Sequence, residues 1–311
     1  MSLNAAYHVV RAEGSTPATP ALYAPNSSGF TYAATAGRHA GAVHMGFGVS
    51  RLEPDGYLAM HVHSCEESFY VLSGHPVLTL DGRSHRLEAG VCGLIPIGAP
   101  HAWLADADQP ARWLEMTAPA PRIDGPPDTF FTGQPAPASP GDAVDIRDPR
   151  SRGLFRLDPG QLDVVELKTG AAVDAPTVSA SMATALLVYS GIAVKMLVDQ
   201  RLGAALHTMF MVEYQPGGVA QPHDHPLEES YFILDGEVEA EADGERFTLR
   251  AGDAFWTGVG CIHAFYNTSD RTVRWLETSS PQPPSNHSYR FMRDWDYLAA
   301  AIALGQARAS A

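Results

Sequence analysis

The chain has 311 residues, of which 45% are hydrophobic. That leaves room for about two domains of ~150 residues with packed cores of their own. A formal net charge of -14 disfavours nucleic acid and anionic membrane surfaces as partners. Cys65, Cys92 and Cys261 are odd in number and form no CxxC pair, which argues against a disulfide framework and for a reducing, cytosolic location. The opening MSLNAAYHVVRAEG lacks a basic segment followed by an apolar run, so no signal peptide is expected. The longest apolar stretch, roughly 182–194, falls short of the ~20 residues needed to span a bilayer.

In chain order, residues 1–30 read as an irregular arm carrying Pro17, Pro20 and Pro25. Residues 31–121 alternate short apolar runs with Gly, Pro and Asp breaks, the signature of an all-β sandwich or barrel. Residues 122–153 shift to a Pro/Gly-rich composition and read as a linker over the surface, with one or two strand pairings. A second β-rich block covers 154–281. The dipeptides Asp81-Gly82 and Asp243-Gly244 signal hairpin turns at the same place in each block. The tail, 282–311, contains RFMRDWDYLAAAIALGQARA from Arg290, whose composition predicts a helix ending near Gly305 that serves packing or dimer contact.

The two blocks are copies. His61, His63, Glu67, Gly74, Gly90, Gly98 and His101 each recur 162 residues later, as His223, His225, Glu229, Gly236, Gly252, Gly260 and His263. A constant offset over that many positions means a duplicated unit. Alternate residues of a strand share a face, so each His-x-His pair points one way and Glu229 and Tyr231 share a face of the next strand. Three imidazoles and a carboxylate suit Fe(II), Mn(II), Ni(II) or Cu(II) better than a closed tetrahedral zinc site. They leave positions for water, O2 or a bidentate substrate.

These strings resemble the cupin superfamily. Gly217, His223, His225, Glu229 and Gly236 fit its first motif, G-x5-H-x-H-x3,4-E-x6-G. Gly252, Gly260, His263 and Asn267 fit its second, with Gly258 in place of proline. In the first copy the loop glycine shifts to Gly56 and Ala105 replaces the final asparagine, while Gly90, Pro96, Gly98 and His101 match. The resemblance implies a bicupin: an all-β chain of two double-stranded β-helix, jelly-roll barrels, here with the C-terminal helix appended. It implies one metal on His61, His63, Glu67 and His101 and another on His223, His225, Glu229 and His263. Up to two divalent transition metals (Mn, Fe or Ni) per chain are therefore expected.

Other residues near the motifs get plainer readings. Glu66 and Glu228 point away from the ligands by alternation and are read as solvated. Cys65 and Cys261 are read as small buried residues rather than soft ligands. His44, His75, His85 and His207 are read as surface or satisfied core positions. Tyr70, Trp103, Tyr231, Trp256 and Phe265 are expected to line or plug the barrels, with Tyr231 and Phe265 on the ligand face and within reach of substrate.

Fold and ligands do not choose the reaction. The aromatic lining favours a metal-dependent dioxygenase on a small aromatic, enol or diketone substrate, with Glu67 or Glu229 doubling as ligand and base. An oxalate decarboxylase-like enzyme is disfavoured by the three-residue gap before each glutamate and by the lack of an arginine beside either first motif. A Mn-dependent ureidoglycine aminohydrolase-like hydrolase and a non-catalytic small-molecule-binding bicupin are the remaining readings. A homodimer through the arm and the C-terminal helix is expected, since cupin barrels often bury their edges between chains.

Overall fold

The computed structural model describes residues 6–122, 128–145, 148, 151, 153–157, 190–282, 290–291 and 303. Strands dominate and curl into two barrels, one for each copy of the repeat. In the first barrel a long strand, Gly46–His63, pairs along its start with Ser27–Ala36 and Ala111–Ala118. Along its end it pairs with His101–Leu104, so both walls belong to one hydrogen-bonded sheet. The second barrel divides into two sheets at Gln215–Gly218, between strands Thr208–Tyr214 and Val219–Asp224.

That corner explains one departure between the copies. Gly217 takes φ +76°, and the residue 162 positions earlier is Asp55, which takes φ +58°. Short polar side chains tolerate the left-handed region, so Asp55 makes the bend that Gly217 makes, and Gly56 corresponds to Gly218. The expected Asp-Gly hairpins form as read. Asp81 and Gly82 (φ +49° and +79°) join Val77–Leu80 to Arg83–Arg86, and Asp243 and Gly244 (φ +48° and +84°) join Glu237–Ala242 to Glu245–Arg250. Two positive φ values in a two-residue loop define the turn whose twist matches paired strands.

Each barrel fills its interior with its own aliphatic and aromatic side chains. Phe69, Trp103 and Trp113 lie in the first, Tyr231, Phe265 and Trp275 in the second. A third cluster joins the barrels and draws on both halves: Met45, Phe47 and Met116 meet Met209, Met211 and Trp256. Trp256, read as a barrel plug, sits in this joint, and Tyr70 packs against it. Alternation puts both on the outer face of their strands, the face the other barrel covers.

The same joint corrects the reading of Glu66 and Glu228. They do face away from the ligands, but both are 3% exposed. Ala205 and Leu206 donate backbone N–H groups to Glu66 at 2.8 and 2.9 Å, and Val43 and His44 donate to Glu228 at 2.8 and 3.1 Å. Each barrel thus clasps the other through the same position of the repeat. Burial acts to raise the Glu66 pKa, but His207, 2.8 Å away, and the two N–H groups outweigh it and hold the carboxyl below its ordinary value. His207 also meets Ser68 at 2.9 Å, so it is a buried core histidine held between Glu66 and Ser68. Met45 stands where His207 would be in the other copy and accepts from Ser230. There burial wins, and Glu228 is raised.

The connecting segments are strands of the barrels as much as linkers. Tyr7–Val10 of the arm pairs with Ala254–Thr257 of the second barrel, and Leu154–Arg156, expected to open the second block, instead pairs with Val91–Ile95 of the first. Gly258 donates its N–H to Ala6 at 2.7 Å. Proline has no N–H, so the motif proline at this position would remove one of the hydrogen bonds that hold the arm. Arg290–Phe291, the expected start of the C-terminal helix, is a short strand on Val219–Asp224. Of the rest of that helix, Ala303 is helical and the remainder lies outside the described residues. Among the described residues no helix is long and apolar enough to cross a membrane.

Candidate metal centres

The repeat delivers its histidines to the barrel interiors in pairs. His61 lies directly opposite His101 across two antiparallel strands, and His223 lies opposite His263. His61, His63 and His101 form one buried cluster, and His223, His225 and His263 another. Within each, the candidate ligand nitrogens lie within 4.8 Å of one another. The carboxylate joins from the next strand. Glu67 Oε2 is 2.9 Å from His63 Nε2 and 3.7 Å from His101 Nε2, and Glu229 Oε2 is 2.8 and 3.7 Å from His225 and His263. All eight expected ligands therefore converge, four in each barrel.

The outward nitrogens are already committed. His61 and His101 meet the carbonyls of Ala59 and Ala99 through Nδ1 at 2.7 and 3.0 Å. His223, His225 and His263 meet those of Gln221, Leu227 and Cys261 at 2.7, 2.9 and 3.0 Å. An Nδ1–H donated to a carbonyl fixes the tautomer and turns a lone pair on Nε2 inward, as metal-ligating histidines require. Burial, aided by neighbouring imidazoles, depresses His61 and His223 to about 3 and lowers His101 strongly. These rings are neutral and able to coordinate. Burial also works against charge on His63 and His225, but Glu67 and Glu229 outweigh it and raise them. His101 Nε2, in the first cluster, is buried without a hydrogen-bond partner, a costly state that a bound cation would relieve. The donor set fits a divalent transition metal.

The two centres differ around this common frame. Tyr231 donates to Glu229 Oε2 and lies 3.0 Å from His263 Nε2, so its hydroxyl sits among the ligands. Its counterpart is Phe69, which packs edge-on against Trp103. Phe265 packs against Tyr231 and Trp275 with centroids 4.9 and 5.3 Å apart, beside His263 at 6.0 Å. It therefore supports the ligand face. Both centres draw on segments outside the repeat, the second through Phe291, which lies opposite His223, and the first through the linker and the arm. Thr129, on the linker strand Thr129–Phe131, meets His63 Nδ1 at 2.8 Å, and Tyr23 of the arm meets Thr129 at 3.1 Å. Tyr23 and Phe131 cover His61, with centroids at 6.1 and 5.3 Å. Cys65 and Cys261 are buried free thiols outside both clusters.

Each centre also has a second carboxyl that the motifs do not name, half-buried at Glu115 and buried at Glu277. Glu115 lies cross-strand from Phe69 and Glu277 cross-strand from Tyr231. Burial, with Glu67 adding to it, raises Glu115 to about 7. Burial and Glu229 drive Glu277 well above the ordinary range, and a hydrogen bond links it to Glu229. A readable signal existed, because Arg112-Trp113-Leu114-Glu115 recurs unchanged as Arg274-Trp275-Leu276-Glu277 at the same offset.

The cupin domain model matches residues 48–117 and 210–279, segments separated by the same 162 residues. Over 90 residues the chain is 30% identical to a Streptomyces cyaneus protein named polyketide synthase CurC, covering 29% of this chain and 58% of that one. The match thus spans less than two thirds of that relative. Among solved structures, the Lactobacillus farciminis oxalate decarboxylase formate complex superposes with a TM-score of 0.59 at 17% identity, covering 93% of this chain and 89% of that one. A mutant of the Pseudoaminobacter salicylatoxidans salicylate 1,2-dioxygenase in complex with gentisate superposes at 0.54 and 15% identity, covering 76% and 69%. At such identities these structures speak to the fold. The family-model matches in both halves, with the duplicated motifs and the two barrels, identify a cupin domain in each half of the chain, a bicupin arrangement.

Proposed function

We propose that this bicupin is a metal-dependent oxidoreductase of the dioxygenase type, acting on a small aromatic, enol or diketone substrate. The observation that carries this reading is the surroundings of each three-histidine cluster. Three imidazoles and one carboxylate are walled by Tyr23 and Phe131 in the first barrel and by Tyr231 and Phe265 in the second. The ring contacts to these histidines among the described residues come from aromatic side chains, which a small charged acid such as oxalate would not use. A planar, weakly acidic organic substrate suits such a wall better. The name of the CurC relative adds support, since polyketides are chains of β-dicarbonyl units that enolise readily.

His61, His63, Glu67 and His101 would hold one metal, and His223, His225, Glu229 and His263 the other. A bound Mn, Fe or Ni ion would supply Lewis acidity and one-electron chemistry toward dioxygen. The protein's own part is to orient and to manage protons. In the second barrel the Tyr231 hydroxyl, between Glu229 Oε2 and His263 Nε2, is placed to pass a proton between a substrate oxygen and Glu229. Glu277, kept neutral by burial, holds a further proton behind Glu229. The barrel interior excludes bulk water from these transfers.

The test is oxygen uptake by metal-loaded protein against catechols, flavonols and β-diketones. Uptake with at least one class, lost on chelation, is the expected result. Carbon dioxide from oxalate without net oxygen use, or ammonia from ureidoglycine, would replace this reading with the decarboxylase or the hydrolase. Ligand-induced stabilisation with no turnover in any assay would make the chain a binding protein.

A further inference from the structure

Away from both metal centres, the two copies of the repeat part company at one pair of charges. In the second barrel Glu213 lies directly across from Arg274 and forms an ion pair with it, Nε to Oε2 at 3.0 Å. Asp235 lies across from Arg274 on its other side. In the first barrel the corresponding residues are Arg51 across from Arg112, with Ser73 on the other side. Both acidic neighbours are gone, and one has become a second arginine. Like charges directly opposite on adjacent strands are destabilising, and the other copy shows the neutral arrangement this scaffold can hold. The substitution also runs against the composition of a chain with net charge -14.

The two arginines face a cavity of about 310 Å³ at the edge of the joint between the barrels. The arm forms one side of this open cavity and contributes a third guanidinium, Arg11, together with Val10; Val49 and Phe232 supply apolar wall. Leu52 and Trp113, next to the arginines in sequence, belong to the barrel interior, so alternation puts the guanidiniums on the outer face. Arg11 is paired with Asp253 at 2.7 Å, and Arg51 with the exposed Glu53 at 2.9 Å. Arg112 makes no side-chain hydrogen bond or ion pair among the described residues. An exposed pair such as Arg51 with Glu53 is weak and yields readily to a better-placed anion.

We infer that this cavity binds a small organic anion, a carboxylate or a phosphate monoester, through Arg51 and Arg112. The guanidinium forks match either oxyanion. The volume exceeds what bare phosphate needs, and the remaining space is lined by Val10, Val49 and Phe232, so the ligand carries an apolar portion. The site lies outside the barrels and takes no part in the proposed oxygen chemistry.

The test is calorimetric titration of the metal-loaded full chain with inorganic phosphate, glycerol phosphate and succinate at constant ionic strength. Saturable binding of one equivalent is expected, and the better of glycerol phosphate and succinate identifies the source class. Arg112→Gln should weaken it at least tenfold, about 1.4 kcal/mol. Arg51→Glu, which rebuilds the Glu213–Arg274 arrangement, should abolish it while leaving the melting temperature equal or higher. No saturable binding of any of the three would overturn the inference. So would equal affinity in both variants, which would trace the anion to the metal centres.

Discussion

Replacing Glu228 with alanine tests whether the barrels are held together by the reciprocal clasp. Glu228 accepts from the N–H groups of Val43 and His44, and its carboxylate is buried. Removing it strands two backbone donors, at about 1–3 kcal/mol for each that water cannot reach. Val43 itself is exposed, so water recovers part of that loss, and we expect roughly 2–3 kcal/mol. Glu66→Ala should cost more, roughly 3–5 kcal/mol, because it also removes the carboxylate that faces buried His207. Denaturant midpoints of metal-loaded protein give both values. Metal content should stay at two ions per chain in both variants, since these side chains point away from the ligands. Losses under about 1 kcal/mol in both would refute the clasp, and loss of one metal would show that the residue serves the site instead.

Three further outcomes follow from the centres. His61→Ala and His223→Ala should each bring elemental analysis from two metal ions per chain to one, and the double variant should carry none; a single variant that loses both ions would show the sites to be interdependent. Tyr231→Phe copies the residue found at Phe69, so it should keep both metals and most of the stability; oxygen uptake should fall at least tenfold, and unchanged uptake would remove Tyr231 from the proton path. Glu115 has a folded pKa raised from 4.5 to about 7, so the folded chain binds its proton more tightly than the unfolded chain does. Its contribution is therefore greatest below pH 4.5 and is lost as pH rises through about 7, a change of roughly 3 kcal/mol. Chelated Glu115→Gln protein should show less decline between pH 5 and 7.5 than chelated wild type, and equal declines would mean that Glu115 is not the acid responsible.

What could be read from the sequence was whatever both copies share and a single strand decides. Alternation put His61 with His63 and Glu229 with Tyr231, and the Asp-Gly pairs marked hairpins; both are local consequences of strand geometry. Alternation also said that Glu66 and Glu228 face away from the ligands, but it could not say what lies on the far side. That answer is the other barrel, so a carboxylate read as solvated is buried. Thr129 and Tyr23 have no counterpart at the constant offset, and their place beside His63 depends on the path of a linker and an arm that no periodicity encodes. Glu115 and Glu277 were within reach, since the string Arg-Trp-Leu-Glu occurs in both halves, yet it belongs to no ligand motif.

Where the copies differ, the structure assigns the difference a job. Asp55 replaces Gly217 and keeps the bend. Gly258 replaces a proline and gains an N–H that makes one of the hydrogen bonds holding the arm on the second barrel. Phe69 and Tyr231 occupy one position, but only the tyrosine brings a hydroxyl to the ligands. Arg51 and Glu213 occupy another, and the exchange turns a neutral pair into a cationic wall. A duplicated unit drifting without constraint would lose ligands as readily as it lost these matches. Here all eight ligand positions are kept while the residues around them diverge. That pattern is expected if both barrels must hold a metal and only the second must move a proton beside it.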